Sequence, residues 1–484
     1  MQQTNINVNA ITPEMLACLL LNICQPDTQI ISQSTAILKK YFELPTSIIP
    51  LMKHLTTHQD LRVRLLSCIC LKKRLIQHWE TQDPTIQNEI KVALLLAYNN
   101  ETAPKVKENI AYLIGLIFVL MAASNLWPEL ISLVQEKCNS EKMLEKEAGM
   151  MLMLAISEGL GNLIEKYLAP FVEIIKQQLI VPNPAVQIFA VKTINCITKS
   201  NITNEALNKI GPLIMTMVNV VLNLPDNEGI LQEVFDNLTD LIDLPKFLNS
   251  QLNPLLTAAC SVAGNKKMSL DLRKVAFTFI QSAVDTKAKM IKKSKDILVK
   301  ILQMSFEVAT ESEEGYDDDE ETSVDSALDM LEQYALKIPN TIIYPLIMSG
   351  CESYLKSNEA SKRKAALLII GTVSKGVEDY IKNNLESVLS VVLQCFSDPD
   401  QEVQEATVIA LCYFADNLSP EIVEHHSKIL PKLLEAVQSK SEKVRTRVFY
   451  AIQTFCENLS EKEIIPYMPP LLQSLVGYFD SPNM

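Results

Sequence analysis

Three stretches in the C-terminal half, residues 360–370, 401–411 and 442–452, share one apolar pattern, and their equivalent positions Lys362, Val403 and Val444 lie 41 residues apart. The pattern recurs upstream at Val63, Val106, Leu144, Val186, Ile230, Leu272 and Val324. Neighbouring steps run from about 38 to 44, and only Leu272 to Val324, at 52, departs. This interval constrains the fold most, because each unit is one supersecondary piece that buries its apolar face only against its neighbours.

Each unit reads as two helices. In the last clear one, Val444, Val448, Ile452, Phe455 and Leu459 recur at three and four residues and fall on one face of a second helix. First helices are legible at residues 344–348 and 429–434, and polar turns such as 397–400 separate the two, with Pro399 unable to continue the preceding helix. Prolines are expected between apolar runs rather than within them. A period near 40 with two helices per unit points to HEAT-type repeats, so the expected fold class is all-α, a right-handed α-solenoid without strands. About eleven complete units should follow a weaker leading pair near residues 12–42. The unit at residues 463–479 lacks a second helix, and the chain therefore reads as the N-terminal part of a longer protein. The expected divisions are 1–130, 131–309, an insertion at 310–322, and 323–484.

Composition agrees with many helices. The chain is 48% hydrophobic with only 12 glycines in 484 residues, which argues against a β-rich or nucleotide-loop architecture. Its 11 cysteines lack metal-ligand spacing and read as reduced core residues of a cytosolic or nuclear protein. The first residues have neither the basic start nor the apolar block of a signal peptide, and the longest apolar run, residues 110–123, falls short of the roughly 20 residues that span a bilayer. No Gly-rich phosphate loop, G-x-S-x-G or H-E-x-x-H occurs. His54 and His58, the only helically spaced histidines, lack a carboxylate or thiol to complete a metal site. No catalytic residue, metal ligand or cofactor is expected, and function must reside in surfaces.

The 52-residue step contains an acidic run. Residues 311–321 hold eight carboxylates and no base, so of a net charge of −13 the other 473 residues share only −5. Such a run should be a solvated loop that attracts a basic partner, with Glu313, Glu314, Asp317, Asp318, Asp319, Glu320 and Glu321 as its capturing groups. Just upstream, Lys287, Lys289, Lys292, Lys293 and Lys295 lack the interleaved aromatics of a nucleic-acid surface and read as a solvated helix face that pairs with the acidic loop when it is unoccupied.

Residues 31–42, 71–79 (LKKRLIQHW), 87–91 and 127–130 resemble the N-terminal domain of the karyopherin-β nuclear transport receptors. The acidic insertion in the eighth repeat, followed by residues 326–331, 362–368, 397–399 and 413–418, is most similar to the importin-four branch of that superfamily. The resemblance implies binding of the GTP form of Ran through early second helices and the acidic loop. Lys72 and Lys73 come from the family-like passage, while Lys107, Asn109 and Tyr112 are added from helical placement alone. It further implies basic cargo in a concave groove, such as histones or ribosomal proteins, and phenylalanine-glycine nucleoporins on the convex side. Shuttling between cytoplasm and nucleus is expected, without direct nucleic-acid or membrane binding. The alternative is a HEAT-repeat scaffold of a phosphatase or cytoskeletal complex, which would not be expected to carry this insertion.

Overall fold

The computed structural model describes residues 10–121, 127–312, 321–438 and 442–479. Among the described residues there are helices and turns and no strand. The chain forms two compact units, Met1–Pro225 and Asp226–Met484.

Unit 1 contains α1 (Pro13–Asn22), α2 (Thr28–Tyr41), α3 (Ile48–Thr57), α4 (Leu61–His78), α5 (Pro84–Asn100), α6 (Pro104–Met121), α7 (Pro128–Asn139), α8 (Met143–Leu160), α9 (Leu168–Leu179), α10 (Pro184–Lys199) and α11 (Asn204–Leu222). Unit 2 contains α12 (Glu228–Ile242), α13 (Leu252–Ala263), α14 (Leu270–Ile291), α15 (Lys295–Val308), α16 (Ser323–Lys337), α17 (Asn340–Leu355), α18 (Ala360–Val373), α19 (Glu378–Lys382), α20 (Leu385–Gln394), α21 (Gln401–Asn417), α22 (His426–Ala436), α23 (Glu442–Asn458), α24 (Glu461–Ile464) and α25 (Met468–Phe479).

The repeat register maps onto these helices directly. Each position from Val63 to Val444 is the second or third residue of a second helix: α4, α6, α8, α10, α12, α14, α16, α18, α21 and α23. That makes ten such helices after the leading pair among the described residues, one fewer than the expected eleven. The starts have local causes. Asp60, Thr322 and Asp400 cap α4, α16 and α21 with their side chains, while Asp83 and Asn183 cap α5 and α10 just before a proline at the first helical position.

First helices pack on their partners, as α3 does on α4, α7 on α8, α13 on α14 and α17 on α18. Second helices also stack on one another, α4 on α6, α6 on α8 and α8 on α10 in unit 1, and α12, α14, α16, α18, α21 and α23 in sequence in unit 2. The stripe read from the last clear unit is inward, with Val444, Val448, Ile452 and Phe455 all buried. One expectation needs correcting, because Pro212, Pro345 and Pro431 lie inside α11, α17 and α22. A proline costs one intrahelical bond and crowds one carbonyl, which helices packed into a stack can absorb by bending.

In six of the ten units the residue just after the register position stitches the unit together. Arg64, Lys107, Gln187, Arg273, Arg363 and Gln404 each donate to a backbone carbonyl in the turn, or at the helix end, that precedes their own helix. Three of them also reach forward one repeat. Arg64 pairs with Glu101 at 2.9 Å, Arg273 with Glu311 at 2.8 Å and Arg363 with Asp398 at 2.7 Å. The backbone turns are thereby satisfied and successive repeats held in one register.

Candidate partner-binding surfaces

In unit 1 the exposed row of α4 is formed by Lys72 and Lys73, flanked by Ile69 and Ile76, each more than half exposed. On the stacked α6 the outward positions are Lys105, Glu108, Asn109 and Tyr112. Asn109 donates to the Lys105 carbonyl at 2.8 Å, and Tyr112 is half-buried. Burial pushes the Tyr112 phenol up, and Glu158 and Glu108 add to the shift. The Glu158 carboxyl of α8 is raised by desolvation, with Lys192 of α10 and Lys72 of α4 opposing and Glu108 assisting. Lys72, Glu108, Tyr112, Glu158 and Lys192 thus share one electrostatic neighbourhood across four stacked second helices.

Lys107 does not belong to this row. Its ammonium lies 5.1 Å from the Tyr98 ring centroid and donates to the Glu101 carbonyl, and burial holds its pKa below the usual value. It is one position away from the outward stripe of α6, about 100° around the helix from Glu108. Lys105, Glu108, Glu158, Lys192 and the two isoleucines were missed in the sequence. The helical stripe Lys105, Glu108, Asn109, Tyr112 could have supplied the first two.

Of the acidic groups in unit 2, Glu313, Glu314, Asp317, Asp318, Asp319 and Glu320 lie outside the described residues. The ends of the run are described, and one differs from expectation. Glu311 is not an uncompensated carboxylate, because the Arg273 guanidinium grips both of its oxygens at 2.8 Å from a largely buried position. Glu321 is exposed, 3.7 Å from Lys274 and 3.4 Å from the Ser326 hydroxyl, which donates to it. Both ends are thus tied to adjacent residues at the start of α14. Behind Glu321, α16 opens with a reciprocal Thr322–Asp325 cap and continues with Asp329 and Glu332. The Asp329 carboxyl is pushed up by desolvation and then by Glu332, Asp325 and Glu321, while Lys375 lies 3.7 Å from Glu332 and Lys274 3.7 Å from Glu321.

Between first helices run shallow grooves. One of about 430 Å³ separates α5 from α7, with Leu95, Pro128 and Leu133 among Asn99, Glu129, Ser132 and Glu136, and one of about 350 Å³ separates α20 from α22, with Leu389 and Leu393 among Glu386, Ser390, Gln394 and Lys428. The histidine pair is occupied otherwise: His54 Nε2 lies 2.8 Å from the Pro13 carbonyl, and His58 Nδ1 accepts from the Asp60 amide. Among the described residues no group of His, Cys, Asp and Glu could hold a metal ion, and no helix is long and apolar enough to cross a membrane.

Comparison with known proteins places this architecture. A family described as IPO5-like, TPR repeats, matches residues 102–258 and 347–477. The chain is 25% identical to the probable importin subunit beta-4 of Schizosaccharomyces pombe over 98% of its own length and 45% of that protein's. It is also 25% identical to importin-4 of Homo sapiens over 87% of its own length and 40% of the relative's. The chain therefore spans about half the length of the curated relatives it matches. Among solved structures, Kap121p superposes with a TM-score of 0.82 at 20% identity, covering 98% of this chain and 47% of Kap121p. Kap121p bound to RanGTP gives 0.79 at 21% identity, covering 97% of this chain and 47% of Kap121p. Stacked helix pairs, family match and superposition agree that the fold is a HEAT-repeat α-solenoid and that the chain belongs to the importin-β family.

Proposed function

We propose that this chain works as a nuclear import receptor that captures basic cargo and is regulated by the GTP form of Ran, with no chemistry of its own. The observation that carries the cargo half is the carboxylate cluster of α16. Burial and then its acidic neighbours hold the Asp329 carboxyl above the usual carboxylate range, and a lysine-bearing segment laid against it would relieve that repulsion. In the sequence, acidic groups 313–314 and 317–321 immediately precede that helix. The Ran half rests on Lys72 and Lys73, two exposed cations between two exposed isoleucines, an apolar-plus-cationic surface suited to a folded protein partner. Kap121p, similar in fold, has been crystallised with RanGTP, Pho4p and Nup53p, which supports the same partner classes here. The grooves between first helices have room for single apolar side chains and are the proposed contacts for phenylalanine-glycine nucleoporins.

Capture of Ran locked in its GTP or GDP form tests the reading. Selective binding of the GTP form is expected, weakened about ten-fold by joint Lys72→Ala and Lys73→Ala replacement. Equal or absent binding to both nucleotide forms would overturn it and favour a scaffold. Lys107→Ala should lower stability instead, since that ammonium is used inside the unit.

A further inference from the structure

The lysine-rich run occupies one edge of unit 2, at the turns that lead from one repeat into the next. α14 kinks at Lys287 (φ −122°, ψ 20°), where Lys287 Nζ donates to the Leu244 carbonyl at 2.9 Å. That bond joins the end of α14 to the turn after α12, and Asn253 donating to the Ser294 hydroxyl at 3.1 Å joins it to the start of α13. The turn after α12 brings Lys246 to the same edge in a left-handed conformation, φ 64°, with Leu248 at 58° two residues on. A left-handed non-glycine residue costs about 1 kcal/mol or more, so two within three residues are held there by their surroundings.

The resulting surface carries Lys246, Lys289, Lys292, Lys293 and Lys295, all exposed. Among the described residues none of the five lies within 4.0 Å of a carboxylate. Helix-dipole stabilisation accounts for Lys289 and Lys292 at the C-terminal end of α14 but not for Lys295, which opens α15 where a cation is disfavoured. Acidic residues 313–320, with which the sequence pairs these lysines, lie outside the described residues, and the two described ends of that run, Glu311 and Glu321, are tied to Arg273 and Lys274 instead.

We propose that this edge is a docking surface for an acidic peptide segment of a protein partner. A long polyanion is disfavoured on two counts. The patch offers no exposed aromatic or arginine for stacking or forked phosphate contacts, and residues 287–300 hold a net +5 in a chain of −13, so nucleic acid overrunning the patch meets repulsion. A short acidic segment needs only the patch.

Fluorescence anisotropy with a fluorescein-labelled deca-glutamate peptide, at about 50 and 150 mM salt, reads the binding on the whole chain. Saturable, salt-sensitive binding is expected, weakened about ten-fold by joint Lys289→Glu, Lys292→Glu and Lys293→Glu replacement. Lys266→Glu with Lys267→Glu, exposed at the opposite end of α14, should change it less than about two-fold. Gln replacements at the same three lysines should give an intermediate loss, and circular dichroism should show unaltered helicity in all variants. Absence of binding, or equal loss from both sites, would overturn the proposal. So would a labelled deca-thymidine binding more tightly than the peptide with the same dependence on the three lysines, which would assign the edge to nucleic acid.

Discussion

Glu311 illustrates how a side chain's role is set by its partner rather than by its neighbours in sequence. It follows the same rule as Glu101 and Asp398, each taken by an arginine 35 to 38 residues earlier. Arg273 is largely buried, so removing its carboxylate leaves a charge without a counterion. Glu311→Ala should cost about 3 kcal/mol, whereas Glu321→Ala, whose pair with Lys274 is exposed and long, should stay within about 0.5 kcal/mol. Urea midpoints of the two variants check the contrast. His54 adds a pH dependence in unit 1. Desolvation holds its pKa below the ordinary 6.5, with the Pro13 carbonyl opposing. Folding thus prefers the neutral ring, and the contribution is complete above about pH 6.5 and declines as pH falls from there through the folded value. Melting at pH 7.5 and 5.5 should show a smaller acid loss for His54→Gln than for the native chain.

The helices are close enough that single atoms decide their packing. A Cβ at Gly115 of α6 would strike the Ala155 carbonyl oxygen of α8, and one at Gly159 of α8 would strike Val119 of α6. These glycines set the α6–α8 crossing that aligns Tyr112 and Glu158. Gly115→Ala should destabilise by about 1 to 3 kcal/mol and displace that row. Gly229 of α12 has nothing within 4 Å of a built Cβ, so Gly229→Ala should stabilise by about 0.5 to 1 kcal/mol through helix propensity. Thermal melts of both variants test whether the difference lies in contact rather than in the residue type. The helix starts, by contrast, are local: caps and first-turn prolines adjoin the turns they follow, which is why the register could be read from the chain alone.

Over the whole molecule, charge is the property that recognition would use. Replacing Glu313, Glu314, Asp317, Asp318, Asp319, Glu320 and Glu321 with Gln or Asn should change stability by no more than a few tenths of a kcal/mol. Affinity for Ran-GTP or for a lysine-rich cargo peptide should fall by about 1 to 4 kcal/mol, with a shallower dependence on salt between about 50 and 200 mM. Titration of both forms at the two salt concentrations measures this, and identical affinities and slopes would count against the loop as a capture element.

The sequence alone determined the helix pairs, their spacing near 41 residues, and the inward stripe of the second helix in the last clear unit, since all three depend on contacts within a turn or two. Only the tertiary structure decided which charges are free. Lys107 and Glu311 read as surface groups in the chain, yet one lies against Tyr98 and the other in the grip of Arg273. The same holds for the kink at Lys287 and for the edge shared by Lys246 and Lys292. Those outcomes depend on groups that the fold brings together from one repeat to the next, and a periodic pattern states that repeats stack without stating which side chain of one meets which atom of another.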